Sequence, residues 1–238
     1  MIETRLIEYR HEQTVLEGFL AAPRGVRSGP TVLVAHMWGG RVPFVCEKAR
    51  ALAEQGYTAF ALDVYGKGVF GRSREECAAL MKPFVDDRRR LVARLQAALD
   101  TARAQAECDP ERVAIMGYCF GGLCALDLAR SGAPLRGAAS VHGLLPPAIE
   151  PLAPGRVQAA VLLLHGEKDP TATLDDLRRI QDELSGAGVD WQSVVYGGAY
   201  HAFTNPEAND PDFGTVYDAR ADRRSWRALL AFLDEVLA

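Results

Sequence analysis

No apolar run in this 238-residue sequence approaches the roughly 18 residues of a membrane-spanning helix. The polar start Met1-Ile2-Glu3-Thr4-Arg5 lacks the form of a secretory signal. Cysteine is sparse and shows no pairing pattern. The five residues, at 46, 77, 108, 119 and 124, are an odd number without C-x-x-C spacing, which argues against a disulfide framework. Histidine is equally sparse: five scattered residues without an H-x-x-x-H pair supply no metal set. Excess positive charge is also missing. Basic residues number 27 against 31 acidic ones, a net charge of −4, which leaves no electrostatic footprint for nucleic acid. With no repeats, low-complexity tracts or linker-like breaks, one domain over residues 1–238 is expected, with reduced thiols in the cytoplasm.

What is present is an alternation of short apolar strands and helical stretches. Ile2 to Tyr9 and Thr14 to Ala22 read as an antiparallel hairpin at a sheet edge. The unbroken apolar run Thr31–Ala35 reads as a strand buried on both faces, and Thr58–Leu62, Val113–Met116, Gly137–Val141, Ala159–Leu164 and Trp191–Tyr196 read as further strands. Helices are expected over Phe44–Gln55, in a stretch broken at Pro83, over Asp86–Ala106 on the surface, after Gly122, over Leu174–Leu184 and over Thr215–Leu237. The pattern predicts an α/β protein with a mostly parallel central sheet and helices on both faces. In such sheets ligands gather at the carboxyl ends of the strands.

Chemistry concentrates at four strand ends. The run V-A-I-M-G-Y-C-F-G-G from Val113 to Gly122 is strand, sharp turn and helix with Cys119 at the apex. It has the form of a G-x-S-x-G nucleophile elbow with cysteine in place of serine. The alternative is a tight β-α turn with a buried cysteine. Asp169 follows the strand at Ala159–Leu164, and His201 follows the one at Trp191–Tyr196. Nucleophile, acid, base is the chain order of the α/β-hydrolases, with each residue after its own apolar strand. In that arrangement His201 takes the thiol proton or holds a thiolate, and Asp169 fixes the imidazole tautomer. The oxyanion needs two backbone N–H donors. Phe120, directly after the nucleophile, supplies one, and Trp38, in the turn after Thr31–Ala35, the other.

The segments G-Y-C-F-G-G at 117–122, H-G-E-K-D at 165–169 and Y-H-A-F at 200–203 resemble the dienelactone hydrolase family of small α/β-hydrolases. Q-G-Y-T-A-F-A-L-D-V-Y at 55–65 and V-H-G at 141–143 extend the likeness over nearly the whole chain. The resemblance implies the α/β-hydrolase fold and hydrolysis of an ester or lactone through an acyl-cysteine, without metal or organic cofactor. It also exposes departures. Well-known members carry a glutamate one residue before the oxyanion amide, where this chain has Met37. They bind the substrate carboxylate with a serine after the histidine and an arginine a few residues on. Here Ala202 and Asn205 stand in those places. A further arginine of the loop after the second central strand corresponds to Arg72 or Arg74.

Met37, Tyr65, His142 and Tyr200 are candidates for the substrate pocket, each with ordinary packing as the alternative. His36 could polarise the oxyanion turn, although a histidine there more simply hydrogen-bonds nearby backbone. Arg88, Arg89 and Arg90 read as a solvated helix face. The expected partner is a small ester, lactone or thioester, with neither nucleic acid nor membrane, and the chain a monomer or small homo-oligomer. The rival expectation keeps the fold without catalysis, as a binding protein or a redox sensor that oxidises Cys119.

Overall fold

The computed structural model describes residues 1–238. Strands β1 (Ile2–His11), β2 (Thr14–Pro23), β3 (Gly29–Ala35), β4 (Thr58–Ala61), β5 (Cys108–Tyr118), β6 (Gly137–Val141), β7 (Ala160–Gly166) and β8 (Trp191–Tyr196) form one sheet. Their order is β1-β2-β4-β3-β5-β6-β7-β8. From β4 to β8 all pairings are parallel, whereas β1 and β2 form an antiparallel hairpin on the β4 edge. After β3 the chain turns outward to β4, then returns to lay β5 on the other flank of β3. That reversal opens a crevice beyond the carboxyl ends of β3 and β5, where open α/β sheets bind ligands.

The two-residue side-chain period divides the central strands between two cores. On β5, Val113 and Ile115 enter one core while Ala114, Met116 and Tyr118 enter the other. Helix α1 (Pro43–Glu54) and helix α6 (Ala219–Val236) cover the second core through Val45, Leu52, Leu229 and Leu233. Helices α2 (Arg74–Asp86), α3 (Arg88–Arg103), α4 (Phe120–Arg130) and α5 (Leu174–Gly186) cover the first through Phe84, Leu95, Leu123 and Ile180. Every residue of α4 is buried, so the helix behind the elbow is a fixed part of the interior.

Three expectations need correction. Helix α2 runs through Pro83, which cannot donate to the Ala79 carbonyl, and stops three residues later at Asp86. The closing helix starts at Ala219 rather than Thr215. Thr215–Val216 is instead a short strand (β10) paired with Asn209–Asp210 (β9), and Asp218 caps α6 by accepting from the Arg220 and Ala221 amides. Arg88 does not belong to a solvated face. It reaches across to α4 and pairs with Asp127, whose side chain is only 1% exposed, and Asp127 also meets Arg130. Farther along α3, Arg94 is buried and donates to the Val64 carbonyl (2.7 Å) and Thr14 Oγ1 (3.2 Å).

Candidate active site

The elbow is built by close backbone approach. A Cβ on Gly117 would lie 2.0 Å from the Gly121 carbonyl oxygen, and one on Gly121 would lie 2.3 Å from that of Ala35. Only glycine fits at either position. The apex Cys119 sits at φ 55°, ψ −116°, a strained conformation for a residue with a side chain. Three backbone bonds hold it there: its N–H donates to Val141 O (3.1 Å), and its carbonyl accepts from Gly122 (2.9 Å) and Leu144 (3.2 Å). The sulfur makes no capping bond, although Cys119 is the N-cap of α4. The first amides of that helix, Phe120 included, have no intrahelical acceptor and point their positive ends toward the sulfur.

Asp169 and His201 meet at 2.7 Å between Oδ2 and Nδ1. The carboxylate can only accept, so Nδ1 carries the proton and Nε2 is the nitrogen left for exchange. The second carboxylate oxygen of Asp169 accepts from the amides of Thr171 (2.8 Å) and Ala172 (3.0 Å), which fixes its orientation. His201 is 3% exposed and its backbone is fastened to the β10 segment: its N–H donates to Gly214 O (3.0 Å), and its carbonyl accepts from Val216 (3.2 Å). Burial pulls its pKa down, but the Cys119 sulfur and the bond to Asp169 outweigh burial and raise it to about 10. Its Nε2 is buried and makes no hydrogen bond.

Cys119 and His201 share the wall of a cavity of about 400 Å³ with Met37, Trp38, Ala202 and Asn205. The turn carrying Met37 and Trp38 is held rigidly. His36 Nε2 accepts from the Val64 amide (3.1 Å), so Nδ1–H donates to the Met37 carbonyl (2.6 Å), which also accepts from Gly40 (3.1 Å). That carbonyl and the Trp38 N–H belong to one trans peptide and point in opposite directions. Fixing one therefore aims the other. Tyr65 adds a third anchor, donating its hydroxyl to the Trp38 carbonyl (2.9 Å), with its ring stacked on Phe120 at 6.0 Å.

The structure separates the pocket candidates. Met37 lines the cavity, whereas Tyr65, His142 and Tyr200 do not. Tyr65 stands behind the Met37–Trp38 turn as its strut. His142 is fully buried at φ 38°, bonds Thr204 Oγ1 through Nε2 (2.8 Å) and packs edge-on against the His201 ring at 5.3 Å. Burial, and after it the His201 charge, push its pKa well below the usual histidine value, so it supports His201 as a neutral ring. Tyr200 lies beneath Lys168 Nζ, 5.8 Å from the ring centroid, rather than on the wall. Of the two arginines left open by sequence, Arg74 reaches the cavity, while Arg72 stacks on the exposed Phe70 at 5.3 Å.

Sequence reasoning missed the far wall, formed by Glu207, Asp210 and Phe213. The stretch N-P-E-A-N-D-P-D-F-G at 205–214 carries no hydrophobic period and reads only as loop. Its importance comes from pairing with β10, beyond the reach of local pattern.

Comparison with known proteins agrees with this architecture. The model of the dienelactone hydrolase family matches residues 16–237. The solved structure of m3DLH is 36% identical with a TM-score of 0.95, covering 100% of this chain and 99% of that one. A dienelactone hydrolase-like promiscuous phosphotriesterase from metagenomic libraries, P91, is 35% identical with a TM-score of 0.95 over 100% of this chain and 99% of its own. Among curated proteins, protein usf of Aquifex pyrophilus is 27% identical over 98% of this chain and 99% of that protein. The chain is a member of the dienelactone hydrolase family, with that family's mostly parallel α/β-hydrolase sheet.

Proposed function

We propose that this chain hydrolyses a small carboxylic ester, lactone or thioester through an acyl-enzyme on Cys119. The observation that carries the reading is the Asp169–His201 bond at 2.7 Å, with Nε2 unoccupied and Cys119 on the same cavity wall at positive φ. The Cys119 sulfur and Asp169 raise the His201 pKa to about 10, which makes the imidazole the proton partner of Cys119, and the attacking species is the thiolate.

The sulfur bonds to the carbonyl carbon, and the developing oxyanion is received by the Phe120 and Trp38 amides. The C–O (or C–S) bond breaks as Nε2–H protonates the leaving oxygen or sulfur. Nε2 then takes a proton from water, whose oxygen attacks the acyl carbon, and the thiolate departs with the acid as product. The proton taken from water restores the imidazolium, and the released acid gives its own proton to solvent. Met37 cannot exchange protons, so His201, the one imidazole on the cavity wall, handles them. P91 is named as a phosphotriesterase, which makes phosphotriesters a second class of electrophile for the same sulfur.

The test is hydrolysis of a p-nitrophenyl ester series by the unmodified protein, Cys119→Ala and His201→Ala, with intact-mass detection of the acyl adduct. Activity that disappears in both variants, with an adduct on Cys119, is the expected result. An active Cys119→Ala protein overturns the assignment. No hydrolysis, with Cys119 still alkylated rapidly by iodoacetamide, would favour the redox or binding role instead.

A further inference from the structure

The far wall of the cavity carries its own charge arrangement. Arg74, at the N-terminus of α2, is the single lysine or arginine among the lining residues, and it is spent on Asp210 of β9 in an ion pair. Its guanidinium also lies 4.4 Å from the centroid of the Phe213 ring, which in turn stacks on Trp38 at 6.2 Å and 21°. Trp38, Phe213 and Arg74 thus form a three-layer stack across the mouth, fastened by Asp210. Glu207, also on the wall, makes no ion pair. The formal charge of these groups is one positive against two negative, or −1, and Cys119 and His201 together add zero whichever of them holds the shared proton. An anionic substrate would meet no free cation and one surplus carboxylate. Ala202 and Asn205 offer no positive charge either.

We infer that the Arg74–Asp210 pair sets the substrate class: the cavity selects uncharged or cationic esters and rejects those bearing a carboxylate near the acyl terminus. This rests on the hydrolase reading above and adds the charge of the substrate to it. Asp210 and Arg74 act as specificity-determining residues with opposite signs. Removing the Asp210 charge frees Arg74 for a substrate carboxylate, and removing the Arg74 charge leaves both acids unopposed. One unit charge at a solvent-open mouth is worth roughly fivefold in binding. The pair is half exposed, with side chains 53% and 33% accessible, so salt should screen its influence.

The experiment compares p-nitrophenyl pentanoate with mono-p-nitrophenyl glutarate, which differ by a terminal methyl against a carboxylate, each rate normalised to its spontaneous hydrolysis. The unmodified protein should favour the pentanoate by at least roughly fivefold at low salt. That preference should shrink in 1 M salt, where the screening length falls to about 3 Å. The glutarate-to-pentanoate ratio of kcat/KM should rise roughly fivefold in Asp210→Asn and fall in Arg74→Gln. It should stay constant in Asp175→Asn, which removes the same charge from the exposed start of α5.

Alkylation of Cys119 by iodoacetate against iodoacetamide provides the same charge comparison without hydrolysis. Its ratio should move in the same directions in the two variants. Equal normalised rates on the two esters, or Asp210→Asn and Arg74→Gln shifting both ratios alike, would overturn the inference. Charge-dependent alkylation without Cys119-dependent hydrolysis would uphold the cavity's selectivity and sink the hydrolase reading, so the two failures are distinguishable.

Discussion

Replacing His36 tests whether a buried histidine outside the triad positions the oxyanion turn. The side chain is fully buried and uses both nitrogens, one on the Met37 carbonyl and one on the Val64 amide. Its pKa is lowered by burial, so at neutral pH it is an uncharged clamp between two segments. His36→Gln places its amide near Nε2 and retains a partner for Val64, but releases Met37. His36→Asn, shorter, places its amide near Nδ1 and does the reverse. Leaving the Val64 N–H buried without an acceptor costs ~1–3 kcal/mol of stability. Releasing Met37 leaves only the Gly40 amide (3.1 Å) to hold the peptide that carries the Trp38 N–H. Full loss of an oxyanion donor costs roughly 3 kcal/mol, so a loosened one should cost about half of that, or roughly tenfold in kcat. The assay is urea denaturation alongside kcat and KM on one ester. His36→Gln should lose kcat with KM little changed and stability largely retained; His36→Asn should lose stability and keep more of kcat. Equal losses of kcat in the two variants, or a kcat unmoved by either, would refute the positioning role.

Asp169→Asn should retain the fold and lower kcat by roughly 10³-fold, since an amide nitrogen facing Nδ1 selects the wrong imidazole tautomer; ester kinetics on a variant with an unchanged circular-dichroism spectrum checks this. Imidazole ¹⁵N NMR at pH 8 should show one imidazolium among the five histidines. Burial lowers the pKa of His11, His36, His142 and His165, leaving them neutral, whereas the raised pKa of His201 keeps its proton until about pH 10. Removing the sulfur with Cys119→Ala should let His201 lose that proton at lower pH; five neutral rings at pH 8 in the unmodified protein would contradict the ion pair. Asp127→Ala should cost about 3 kcal/mol in a urea melt, because it removes the carboxylate partner of the largely buried Arg88, while Arg130 keeps its pair with Glu183. Arg89→Ala breaks an exposed pair with Glu150 and should cost under ~1 kcal/mol in the same measurement.

The positions of the strands and the elbow were legible because both follow from local rules. Short, mainly apolar runs mark strands buried on two faces, and G-Y-C-F-G-G marks a turn where no Cβ fits. Gly137–Val141 and Trp191–Tyr196 match their strands residue for residue. The misreadings fall where distant partners decide. Arg88 looks solvated in a run of three arginines until α4 brings Asp127 beneath it. Tyr65 and His142 sit just past strand ends, as pocket residues do, yet their polar atoms are claimed by Trp38 O and Thr204 Oγ1. The far wall was invisible for the same reason: β9 and β10 are two residues each, too short for any period, and exist through their pairing and the bonds of β10 to His201.

That connection gives the site its economy of proton carriers. Four histidines stand buried within the fold's carboxyl-end layer, and three of them are committed elsewhere or held neutral by burial. His36 spends both nitrogens on backbone, His142 supports the His201 ring from behind, and neither it nor His165 reaches the cavity wall. Nε2 of His201 is the one ring nitrogen on that wall, and in the proposed reaction it trades a proton with sulfur, leaving group and water. Its placement depends on the Asp169 carboxylate on one side and on the Gly214 and Val216 backbone on the other. The loop that carries Phe213 and Asp210 on the cavity wall is thus the same one that seats His201. Substitutions there should move kcat as well as specificity, whereas charge changes on α2 at Arg74 should act on specificity first.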